Sequence, residues 1–137
     1  MHYWLLKSEP FVFSWDNLVE NEVESWEGVR NYQARNYLRS MRWGDQFFFY
    51  HSNEGLCIVG TGEIVEEAFD DPSCTDHPGR WSTVNVKPLM KFKTPISLSD
   101  IKAMPELKDM VLVNNTRLSV QPVTEFEWNY ILKLGTF

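Results

Sequence analysis

The stretch Gln46-Phe47-Phe48-Phe49-Tyr50-His51-Ser52, followed by Asn53-Glu54-Gly55 and then by Leu56-Cys57-Ile58-Val59-Gly60-Thr61-Gly62-Glu63-Ile64-Val65-Glu66, decides the fold. Aromatic and β-branched residues fill both runs and a short loop with a glycine separates them, so the segment reads as a strand hairpin. Gly60 and Gly62 fall on one face of the second strand. Missing side chains there permit the curvature of a small barrel or the close approach of another group, or else mark a bend. A further strand follows from Trp81 to Phe92, with a break expected near Pro88, and an earlier one from Tyr3 to Lys7 is ended by Glu9-Pro10.

Helices fill the intervals. Ser14 is placed to cap a short helix with Asp16 in its first turn and Trp15, Leu18 and Val19 on its apolar side. Between Asn31 and Trp43, Ala34, Leu38 and Met41 recur at helical spacing as one buried stripe, and Arg35, Arg39 and Arg42 repeat that spacing one residue round as a basic ridge. Near the C-terminus, Ser97 with Asp100 and Thr124 with Glu127 have the form of capping devices, flanked by the apolar pairs Ile96/Ile101 and Val123/Trp128. Pro105 closes the first of these helices and the second runs to about Leu134. The coarse reading is one α+β unit of about five strands with peripheral helices.

Composition narrows the function classes. The chain has 137 residues, 43% hydrophobic and 15% aromatic, which suits a single globular domain with an unusual wealth of rings. A formal charge of -6 argues against binding of long nucleic acid by bulk phosphate neutralisation, so any such contact has to be local. The N-terminal run Met1 to Glu9 has neither a basic leader nor a signal-like apolar core, and no segment reaches the ~18 apolar residues of a membrane span. Cys57 and Cys74 lack disulfide-framework spacing and are expected as free thiols in a reducing, intracellular compartment: cytoplasmic, or nuclear in a eukaryote.

Sequence patterns for chemistry are weak. His51 and Ser52 are neighbours on a strand, so their side chains point to opposite faces and do not form a nucleophile and base pair. Cys74, Asp76 and His77 lack a second ligand pair at matching spacing, Gly60-Thr61-Gly62 does not continue into a dinucleotide fingerprint, and the zinc deaminase signature is missing. No catalytic residue, metal or cofactor is therefore expected. Trp81 would share a strand face with Thr83, Asn85 and Lys87, which suggests either a binding surface or a ring that covers the end of a barrel. Trp26, ahead of Gly28-Val29-Arg30-Asn31, is either a ligand-facing ring or a core tryptophan.

Four runs, in order from end to end, resemble the EVE domain family of the PUA-like superfamily, which includes the thymocyte nuclear protein group. They are Tyr3 to Pro10, Trp26 to Asn36, Phe48 to Ser52 and Arg117 to Val123. The resemblance implies a single EVE domain over residues 1–137: a PUA-like curved β-barrel of five to six strands with peripheral helices, related to the YTH domain. It further implies a reader of a methylated or hydroxymethylated base in DNA or RNA, which the missing catalytic set makes noncatalytic; a monomer is the expected state. Trp26 and Trp81 would clamp the base, since stacking on a ring contributes about 1 to 3 kcal/mol. Ser8, Asn31, Tyr50, Ser52, Ser119 and Gln121 would complete the pocket, while Lys7, Arg30, Arg35 and Arg117 are candidates for flanking phosphates, extended by Arg39 and Arg42. Each of these cations is equally suited to an ion pair with one of the 19 acids. Alternatives of other kinds are a PUA-like module for tRNA or rRNA that needs no modification, and a pocket for a free nucleoside. Relative to the family, the segment Ala68 to Arg80 is short.

Overall fold

The computed structural model describes residues 1–136. Among them a six-stranded sheet has the order β2-β5-β4-β3-β1-β6. The strands are β1 (Tyr3–Ser8), β2 (Glu24–Ser25), β3 (Gln46–His51), β4 (Cys57–Asp70), β5 (Ser82–Ser97) and β6 (Val120–Val123). The helices are α1 (Trp15–Asn21), α2 (Tyr32–Ser40), α3 (Leu98–Ala103), α4 (Val111–Asn114) and α5 (Glu125–Thr136), with a 3-10 turn at Pro105–Leu107. β1 and β3 are parallel neighbours and the other pairings are antiparallel. β2 and β6 are the two edges, so the expected barrel is an open sheet.

The hairpin segment sits at the centre. Phe47, Phe48, Phe49 and Tyr50 are all buried, and the pleat sends them alternately to two separate cores. Phe47 and Phe49 join Trp4, Leu6, Trp15, Trp26, Leu38 and Met41 under α1 and α2. Phe48 and Tyr50 join Leu5, Ile101, Trp128 and Ile131 under α3 and α5. Phe48 stacks on Trp128 at 4.1 Å between ring centroids.

The capping devices read from sequence are in place. Ser14 caps α1 in a reciprocal box with Asn17, Ser97 Oγ accepts from the Asp100 amide, and Thr124 and Glu127 exchange bonds at 3.2 and 3.0 Å. Ala34, Leu38 and Met41 are fully buried as one stripe. Val19 differs from its expected place on the apolar side of α1 and is 49% exposed. β5 runs through Pro88 without breaking, because a register shift against β4 at Thr61/Gly62 accommodates the residue that has no amide hydrogen. Trp81 falls just before β5, and Thr83 on its expected open face is fully buried, with its hydroxyl 3.2 Å from that of Ser25 on β2.

Of the readings open for Gly60 and Gly62, close approach is the one realised. A Cβ at Gly60 would lie 2.7 Å from the Trp15 ring, and one at Gly62 2.3 Å from the Phe47 ring and 2.6 Å from the Lys87 carbonyl oxygen. Rings lie directly on the strand where side chains are missing. Gly62→Ala is expected to destabilise the fold by at least about 1–3 kcal/mol, because the carbonyl is backbone and cannot step aside. Urea unfolding that leaves the midpoint unchanged would show that Phe47 has room the packing does not suggest.

His51, at the end of β3, accepts the Trp15 amide through Nε2 at 3.2 Å and so satisfies an otherwise open donor at the start of α1. Burial lowers its pKa below 6.5, against an opposing pull from Asp16. An imidazolium has no lone pair to accept with and puts positive charge at the helix N-terminus. With the folded value below the unfolded one, the contribution is complete above pH 6.5 and is lost as pH falls toward the folded value. Unfolding measured at about pH 7.5 and about pH 5 should show a loss that His51→Gln, which accepts without titrating, reduces; equal slopes for both proteins would remove His51 as the cause.

Candidate functional site

The residues singled out from sequence are distributed over three neighbouring features. The first is a cleft of about 540 Å³ where β1 ends, walled by the turn after it and by β2. Lys7, Ser8, Phe13 and Trp26 line it. Trp26 is 8% exposed and is fixed on three sides: its amide donates to the Val84 carbonyl at 2.8 Å, and its ring meets Phe13 and Phe49 edge-on at 6.1 and 5.6 Å. It is thus a core tryptophan that also forms part of the cleft wall. The Ser8 hydroxyl donates to the Phe13 carbonyl at 2.5 Å, which ties the turn back onto β1. Glu9, Glu24 and Glu27 give the same cleft an acidic lining.

A second cleft, about 700 Å³, shares Lys7 and Glu9 with the first. It is lined by Tyr50, Ser52, Arg117 and Ser119 together with Lys102, so Tyr50, Ser52 and Ser119 lie apart from the Trp26 cleft with which the sequence reading grouped them. The Lys7 ammonium lies 5.5 Å above the Tyr50 ring and donates to the Thr116 carbonyl. Burial lowers the pKa of Lys7. Burial, and then the nearby Cys57, push Tyr50 up to about 12, so its phenol keeps its proton. Lys7 and Glu9 belong to both clefts: in the second, Lys7 joins two further cations and Glu9 is the one acid.

The third feature is centred on Asp71, which sequence reading did not single out. Its carboxylate accepts from the amides of Gly28 and Ser73, both at 2.8 Å, from the Ser73 hydroxyl at 2.6 Å and from Arg30 at 3.0 Å. Burial raises its pKa, but the bonds from Ser73, Gly28 and Arg30 outweigh this and hold it at about 2. The signal was available, since Asp71-Pro72-Ser73 is an Asx-turn sequence. Beside this anchor Trp81 stacks on Tyr32 at 4.9 Å, with Arg30 5.5 Å from the Trp81 ring and Arg35 4.8 Å from the Tyr32 ring. Trp81 does not line the cleft that Trp26 lines.

The basic ridge is also engaged. Arg35 donates to the Arg80 carbonyl at 3.1 Å, and Arg39 donates to Ser82 Oγ and the Gly79 carbonyl, both at 2.9 Å. Arg42 reaches back to the carbonyls of Arg39 and Met41. These side chains hold the segment before β5, and of the ridge and its neighbours only Arg30 makes an acid pair among the described residues. Asn31 caps α2 by accepting the Ala34 amide at 2.9 Å, so its oxygen has a structural partner. Gln121 is fully buried and donates to the carbonyls of Asn115 and Leu118, bracing the turn that carries Arg117 rather than facing a cleft. Cys57 and Cys74 are unpaired thiols. No helix among the described residues is long and apolar enough to cross a membrane.

The EVE domain model matches residues 2–134. Thymocyte nuclear protein 1 of Mus musculus is 38% identical over 165 aligned positions that take in 97% of this chain and 73% of that protein. The alignment is longer than the 137 residues of the chain, so the relative carries insertions within the shared region. A crystal structure of a protein from Agrobacterium tumefaciens superposes with a TM-score of 0.95 at 45% identity, covering 98% of this chain and 93% of that one. The human THYN1 protein, solved in complex with DNA containing 5-methylcytosine, gives a TM-score of 0.91 at 36% identity, with 98% of each chain covered. At the level of fold alone, a YTH domain from Zygosaccharomyces rouxii aligns with a TM-score of 0.65 at 17% identity over 99% of this chain and 87% of its own. A match along nearly the whole chain, with the same open sheet beneath it, means that the chain belongs to the EVE domain family.

Proposed function

We propose that the chain is a noncatalytic module that takes a modified nucleobase from DNA or RNA into the cleft lined by Trp26. The observation that carries this reading is that an aromatic cleft lined by three acids meets, across Lys7 and Glu9, a cleft where three cations outnumber the single acid Glu9. A nucleotide has the same division, with a flat ring carrying polar edges at one end and a phosphate at the other. Trp26 and Phe13 supply apolar surface for the ring, while Glu9, Glu24 and Glu27 suit the exocyclic amine of a cytosine or adenine. Lys7, Lys102 and Arg117 suit the adjoining phosphate, with Tyr50, Ser52 and Ser119 as donors beside them.

The 36% identical human protein bound to 5-methylcytosine DNA supports a modified base as the ligand class. Trp81 takes a different part from the one the resemblance implies. It orders the segment before β5 through Tyr32 and Arg30, and Arg35, over the Tyr32 ring, acts with it there, while Asn31 caps α2. A buried methyl contributes only about 0.8 kcal/mol, a preference of about fourfold, so selectivity for modification has to come from the shape of the cleft as well.

Titration with short oligonucleotides carrying 5-methylcytosine, 5-hydroxymethylcytosine, N6-methyladenine or no modification, at two salt concentrations, tests the reading. Trp26→Ala should weaken binding about tenfold or more, and Trp26→Phe, which keeps the core filled, should retain part of it. Arg117→Ala should weaken all oligonucleotides alike and reduce the salt dependence. Binding of a free nucleoside with no response to salt would replace the nucleic-acid reader with a small-molecule pocket.

A further inference from the structure

Phe11 is 86% exposed and Val12 76% exposed, consecutive apolar residues at the tip of the turn between β1 and α1. Isolated exposed apolar residues are ordinary, but this pair is placed where it matters. Val12 and Phe13, which follow Phe11 in the same turn, line the Trp26 cleft, while Phe11 itself is outside that lining. The turn that presents it is braced. The amides of Val12 and Phe13 both donate to the Glu9 carbonyl, at 2.9 and 2.8 Å, the Ser8 hydroxyl bonds the Phe13 carbonyl, and the Phe13 ring packs on Trp26 and Phe49. Two other exposed rings have partners: Tyr32 stacks on Trp81 and Phe126 leans on Tyr130. Among the described residues Phe11 has no ring contact, and Trp43, the other large exposed ring, lines neither cleft.

A base that enters the cleft from a duplex leaves a gap in the stack, bounded by the faces of its two former neighbours. That gap is apolar and the size of one ring. We propose that Phe11 is the wedge that fills it, so that the partner of this surface is double-stranded DNA with one base turned out; this rests on the base-binding reading of the cleft. A single strand has no paired stack to hold open. The wedge therefore favours duplex over single strand without touching the flipped base itself.

The test uses a duplex with one central 5-methylcytosine, and the same modified strand alone, with binding followed by fluorescence anisotropy. Phe11→Ala is expected to weaken the duplex about tenfold and leave the single strand unchanged, and Phe11→Trp to keep duplex affinity. Since Phe11 is exposed, both variants should fold, which thermal melting checks. Equal loss on both ligands would make Phe11 a wall of the cleft, and no loss on either would make it a passive surface residue; each result overturns the wedge while leaving the cleft reading intact. Single-strand binding that is indifferent to Trp26→Phe and Trp26→Ala would overturn the cleft reading, and the wedge with it.

Discussion

The burial of β3 on both faces is the constraint on which the rest of the molecule depends. A strand with one solvated face needs one core; Phe47 to Tyr50 require two, and the chain supplies α1 and α2 for one side and α3 to α5 for the other. The parallel pairing of β1 with β3 follows, because the chain must cross over between them, and the segment that crosses carries Trp26. The first cleft is therefore a by-product of the topology. It opens where β1 leaves the sheet and the crossover returns beside it.

Much of this was legible because the signals were local. The caps at Ser14, Ser97 and Thr124, the stripe Ala34/Leu38/Met41 and the hairpin at Asn53-Glu54-Gly55 depend on neighbours a few residues apart, and each lies where its chemistry indicates. β2 and β6 were not legible. Two residues, or four that include Pro122, have no periodicity to read, and what makes them strands is their partner: Val86 for Glu24, Leu5 for Gln121. The site divided along the same line. Residue type and family likeness brought forward Trp26, Lys7 and Arg117, but whether Trp26 and Trp81 share a wall depends on Tyr32, on another element, having taken the Trp81 ring.

The arginines show how a cation can be occupied without an acid. Arg35 and Arg39 are satisfied by backbone carbonyls of a segment that has little regular structure of its own, in a chain with more acids than bases. Asp71 does the converse with backbone amides, and between them these side chains tie down a segment of turns at both ends. The cations left facing solvent near a cleft are then few and local, which fits a net charge of -6.

The open sheet has a consequence for the life of the molecule in a crowded solution. An unclosed sheet offers its outer strands as templates for another chain, the usual route to edge-to-edge aggregation. Here one edge is a four-residue strand with a proline, and the other is only two residues long. Beyond β2 the outer strand β5 continues with Lys87, Pro88, Lys91, Lys93 and Pro95. Prolines remove amide donors and lysines would have to be desolvated by any incoming strand, so a second copy finds no continuous ladder to join. The irregularities that hid the edges from pattern reading are the same ones that discourage the sheet from growing.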